Sequence, residues 1–197
     1  MYITYSNFIL QLPVGVLSDS QIDILKQALN DYPEINRPNP QSITFRNGSS
    51  ILTVQPELIY FTKIQGEASE INTENVSNEL IRIKNSLGLS QPYQIQMNLE
   101  GIEQSTVNIM EKSKVPISEA AKALDAAGVG YRFILNYKEF MGNAHIAPYI
   151  EDNQKIFYHV DFYSRNTYQN EDMRSIFNQL FTLATSSTKE AAKKLFS

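Results

Sequence analysis

The stretch "SITFRNGSSILTVQPELIYFTKI", residues 42–64, decides what kind of fold this chain can make. Two runs rich in β-branched and aromatic residues flank Asn47-Gly48, the dipeptide most favoured in a two-residue type I′ hairpin turn. The chain therefore commits here to antiparallel strands joined by a tight turn. Pro56 interrupts the second arm. Proline cannot donate a ladder hydrogen bond, so that arm is expected to be bulged or at a sheet edge there.

Upstream, "YSNFILQLPV" alternates Phe8, Leu10 and Leu12 with Asn7, Ile9 and Gln11, which predicts a strand with one apolar face. The following "SDSQIDILKQALNDYP" predicts a helix. Ser18 is its N-cap, Gln21 the capping-box partner, and Ile22, Leu25, Ala28, Leu29 and Tyr32 its apolar stripe. "PEINRPNPQ" reads as a proline-punctuated loop and "QGEASEINTEN" as a polar connector. Val76, Leu80, Ile83 and Leu87 then mark a second helix that stops at Gly88.

Beyond residue 90 the same order recurs. "PYQIQMNLEG" places Tyr93, Ile95, Met97 and Leu99 on one side of a strand. A helical region split by Pro116 follows. Its second piece, "ISEAAKALDAAG", has Ser118 as cap and Gly128 as stop. "YRFILNY" predicts a strand with Phe133, Leu135 and Tyr137 inward. Residues 138–155 read as a long connector, and "IFYHVDFYSR" as the next strand. "EDMRSIFNQLFTLAT" carries Met173, Ile176, Phe177, Leu180 and Leu183 on one helical stripe. "SSTKEAAKKLFS" either extends that helix or forms its own, capped by Ser187 with Glu190 at N3.

Strand, helix, strand, strand, helix is thus stated twice. The expectation is one α+β domain over 1–197 with two pseudo-repeated halves, 1–90 and 91–197. Its antiparallel or mixed sheet would carry the helices on one face. This topology resembles a duplicated ferredoxin-like or TATA-box-binding-protein-like arrangement over most of the chain. The resemblance carries no functional motif.

Composition narrows the function classes. Hydrophobic residues make up 42% and charged residues 19%, which is globular composition. There is no Cys, hence no disulfide, thiolate nucleophile or cysteine metal site. A net charge of −4 with scattered Lys and Arg argues against a general nucleic-acid binder. The first residues lack the basic and apolar regions of a signal peptide, and no run is long enough to span a membrane. A cytoplasmic location is the expectation, with no membrane partner and no cofactor.

Few residues carry candidate chemistry. There is no Gly-x-Ser-x-Gly elbow. Gly128-Val129-Gly130 follows a helix and enters a strand, the reverse of a dinucleotide loop. A helix-turn-helix reading of "ISEAAKALDAAGVG" lacks a second helix, and the pairs Glu100/Glu103 and Glu151/Asp152 read as solvated acids. In "IFYHVDFY" the strand period puts His159 and Asp161 on one face, opposite Tyr158, Val160 and Phe162.

Two function readings follow. The first is a non-enzymatic binding protein that engages a protein partner with its sheet face and the 138–155 loop, through Phe140, Met141, Ile146, Tyr149 and Ile150. The alternative is a small-molecule binder or metal-dependent hydrolase. It would use His145, His159 and Asp161, with Arg132 on a neighbouring strand.

Overall fold

A computed structural model describes residues 1–169 and 173–197. Its strands are β1 (Tyr2–Gln11), β2 (Glu34–Asn39), β3 (Ser42–Asn47), β4 (Ser50–Gln55), β5 (Leu58–Glu67), β6 (Gln94–Gln104), β7 (Tyr131–Tyr137), β8 (Phe140–Tyr149) and β9 (Asp152–Ser164). The helices are α1 (Asp19–Ala28), α2 (Thr73–Ser86), α3 (Ile109–Lys114), α4 (Ser118–Ala123), α5 (Met173–Thr182) and α6 (Thr188–Leu195). The strands form one open nine-stranded sheet in the order β2-β3-β4-β5-β1-β6-β9-β8-β7. Every pairing is antiparallel. The fold is α+β, and among the described residues no helix is long and apolar enough to cross a membrane.

The meander of residues 42–64 is three strands rather than one hairpin. Gln55 pairs with Leu58, so Pro56 and Glu57 form a second tight turn. Proline's fixed φ suits the first central position of a turn, so Pro56 separates two strands instead of bulging one. The first turn also shifts by one residue. Asn47 pairs with Ser50, which makes Gly48 and Ser49 the central residues. Gly48 has φ +56°, and neither Asn47 nor Ser49 is in the positive-φ region. That is the type II′ pattern, with glycine first, rather than type I′.

Other expectations shift for local reasons. "PEINRPNPQ" contains edge strand β2, exposed along its whole length, where Pro38 is tolerated because no strand among the described residues lies beyond it. The connector expected over 138–155 is instead the turn at Lys138–Glu139, the whole of β8, the turn at Ile150–Glu151 and the start of β9. α4 is shorter than predicted. Ser118 is already helical, at φ −54° and ψ −40°, and caps nothing. The helix ends on Asp125 at φ +49°, with Ala126 N–H donating to the Ala121 carbonyl and Asp125 N–H to that of Lys122. This Schellman closure precedes Gly128, which is not the stop.

The Ser18–Gln21 capping box and the Gly88 stop, at φ +64°, form as the sequence predicts. The expected start of the 171–185 helix, Glu171 and Asp172, lies outside the described residues. Ser187 is helical and caps nothing, so a π-helical turn, Leu183–Ser187, runs α5 into α6.

Register explains where the core lies. Phe45, Leu52, Phe61, Phe8, Met97 and Phe162 stand opposite one another across six strands, and all are buried. They pack under Ile22, Leu25, Leu80, Ile83 and Phe177 of the helices. Phe8 meets Phe177 edge-on at 5.3 Å and 84°. That geometry contributes about 0.5–1.5 kcal/mol beyond burial itself. A smaller cluster of Ile109, Ile146, Ile156, Tyr158, Ala192 and Phe196 covers the other end of the same face. No residue of the opposite face joins either cluster among the described residues, so the helices cover one face and leave the other bare.

Candidate functional site

On the bare face, register alone draws a polar row across five strands. Arg132 stands opposite His145, His145 opposite His159, His159 opposite Glu100, and Glu100 opposite Tyr5. Directly opposed residues lie within side-chain reach, about 4.5–5.5 Å between Cβ atoms. Asp161 sits in the next row, two residues along β9, facing Asn98 and Asn143.

His159 is the centre of this row. Its Nδ1 lies 3.1 Å from Glu100 Oε1 and its Nε2 2.9 Å from Asp161 Oδ2. Both carboxylates can accept from the ring only when it carries two N–H groups, as an imidazolium. The three side chains are 36–40% exposed, so the group is a hydrogen-bonded cluster in contact with water and not a closed pocket. Glu103 takes no part. It is an odd number of residues from Glu100, so it projects to the helix side, where it accepts from Tyr158 Oη at 3.0 Å and pairs with Lys189.

His145 arrives here by strand pairing, not by a loop folding back. Its ring meets Phe157 edge-on at 6.3 Å. Burial, with the neighbouring charges of His159 and Arg132, holds its pKa below the ordinary histidine value. Beside it is an open depression of about 460 Å³, lined by Ala147, Pro148, Tyr149, Ile150 and Phe157. Further along the row, burial with Tyr60 and Glu100 pushes the Tyr5 phenol up. Elsewhere on the face polar groups satisfy one another: Thr62 donates to Asn7 at 3.1 Å and Gln96 to Gln11 at 2.8 Å.

The five apolar residues expected to meet a partner separate by face. Phe140 and Ile146 point to the helix side and are buried core, 2% and 1% exposed. β8 alternates where a loop was expected, and that sends both side chains into the core. Met141 lies on the bare face and Tyr149 is partly exposed, while Ile150 is 90% exposed at the hairpin tip. Glu100 and Tyr5 were missed as members of the row. Their alternation marked the face they occupy, but only cross-strand register brings them to His159. Among the described residues, no three His, Asp or Glu side chains are arranged to hold a metal ion. The chain matches no family model and no curated protein.

Proposed function

We propose that this chain is a non-enzymatic interaction protein that engages a protein partner through its helix-free sheet face and the tip of the β8–β9 hairpin. The observation that carries this reading is the one-sided cover of the sheet. A broad face is left open, bearing Tyr5, Tyr60 and Tyr163, the Glu100–His159–Asp161 cluster, and Ile150 at its margin. Tyrosines that offer a ring and a hydroxyl together are typical of protein interfaces. In the same reading, halves 1–90 and 91–197 are two versions of one unit within a single domain. From the centre outward the strand orders are β1-β5-β4-β3-β2 and β6-β9-β8-β7. Each half begins with a central strand and returns to it by a meander, the layout that resembles a duplicated TATA-box-binding-protein-like arrangement.

The alternative, a small-molecule binder or metal-dependent hydrolase using His145, His159 and Asp161 with Arg132, has less support. Both ring nitrogens of His159 already face carboxylates. An affinity column carrying the chain tests the leading reading. Wild type and a helix-side control, Lys122→Ala, should retain the same partner, and Tyr163→Asp with Ile150→Asp should lose it. Equal retention by all three would refute the proposal.

A further inference from the structure

The two ends of the sheet are built differently. β2 is guarded in the ways exposed edges commonly are. It contains Pro38, carries Glu34 and Arg37, and its register with β3 breaks between Asn36 and Asn39. β7 has no such guard. It has no proline, Arg132 is its one charge, and its register with β8 runs unbroken from Tyr131↔Ile146 to Tyr137↔Phe140. Tyr137 and Phe140 close a two-residue turn, so residues 131, 133, 135 and 137 turn their backbone groups toward β8. Arg132, Ile134 and Asn136 turn theirs to the open side. The side chains add to this. Ile134 is 81% exposed on the helix-free face and Phe133 37% exposed on the other. Among the described residues no strand pairs with this side of β7, so open backbone groups and apolar side chains coincide on one regular strand, a template for strand addition.

The strand's own sequence specifies what fits it. Tyr131-Arg132-Phe133-Ile134-Leu135-Asn136-Tyr137 has the same chemical character read from either end: aromatic, polar, apolar, isoleucine, apolar, polar, aromatic. We infer that β7 pairs antiparallel with β7 of a second copy, about a twofold axis through Ile134. An isologous contact needs such a self-complementary patch. In this register the outward-facing Arg132, Ile134 and Asn136 meet Asn136, Ile134 and Arg132 of the other copy as hydrogen-bonded pairs. Phe133 packs on Leu135 and Ile134 on Ile134. Each Arg132 meets a neutral Asn136, so no like charges stand directly opposed. The two sheets become one, and their bare faces are joined. The inference concerns the edge and not the face assigned to a protein partner, so either can fail alone.

Sedimentation equilibrium over a concentration series tests it. Wild type should pass from the mass of one chain to that of two. Ile134→Lys and Ile134→Glu should each weaken association about ten-fold or more, because each sets like charges face to face at the axis. Mixing the two variants should restore a dimer containing one of each, because position 134 faces itself. Circular dichroism confirms that each variant is folded. As an independent check, Ile134→Cys in this cysteine-free chain should cross-link to a second copy on oxidation, and Ile24→Cys on exposed α1 should not. A wild type that stays monomeric, a dimer indifferent to both charges, or a mixture no tighter than its parts would overturn the inference.

Discussion

Tyr158→Phe isolates one interaction in the smaller core cluster. The Tyr158 ring is fully buried among Ile109, Ile146, Ile156, Ala192 and Phe196. Its hydroxyl donates to Glu103 Oε2 at 3.0 Å, and Glu103 also pairs with Lys189 of α6. Phenylalanine keeps the ring and its packing, so the change removes one hydrogen bond to a charged acceptor. Such bonds contribute about 1.5–3 kcal/mol. Glu103 retains Lys189 and its side chain is 18% exposed, so its leftover desolvation is modest and the loss belongs near the low end, about 1.5–2 kcal/mol. For a chain of this length that lowers Tm by about 3–8 °C. The assay is urea unfolding followed by far-UV circular dichroism, because the chain has no Trp to report by fluorescence. The slope m should not change. Tyr163→Phe on the bare face, 44% exposed, serves as control and should stay within about 0.5 kcal/mol. A loss below about 0.5 kcal/mol for Tyr158→Phe would show that the Glu103 contact contributes no net stability.

Three further outcomes are expected. His145 binds its proton less readily in the folded chain than in the unfolded one, chiefly through burial. The unfolded state therefore takes up more protons, and stability falls as pH drops through the ordinary histidine range. His145→Gln should flatten that part of the profile in denaturant titrations between pH 7 and pH 5; identical wild-type and variant slopes would exclude the effect. Gly142→Ala should cost more than about 3 kcal/mol or prevent folding. An added Cβ would lie 2.0 Å from the backbone oxygen of Asp161 on the neighbouring strand, and a near-neutral thermal melt would contradict that packing. Ser18→Ala removes both the cap to Gln21 N–H and one side of the capping box, and should cost about 1 kcal/mol in chemical denaturation.

Alternation and helical stripes were legible wherever the inward residues are large. Phe8 and Leu10, Tyr93 to Leu99, and Tyr158 to Phe162 are all buried as their period predicts. β8 escaped the same reading although its burial alternates along its whole length. Its inward positions include Gly142 and Ala144, which tight packing requires but which carry almost no hydrophobic signal. β2 escaped because it buries nothing and is held by its ladder to β3. Phe133 keeps to its predicted face yet is 37% exposed, because β7 ends the sheet and no strand among the described residues lies beyond it.

The sequence by itself determined which residues share a face within each strand, since side chains alternate whatever the strand's neighbours are. His159 and Asp161 were therefore together before any sheet was assembled. Neighbour and register were decided only by tertiary structure. A one-residue slip reverses every side chain, and the burial of one whole sheet face selects among the slips. That selection set His145 and Glu100 on either side of His159, with Asp161 reaching it from its own strand. It turned the apparent loop before them into a strand and left β7 as an open end of the sheet.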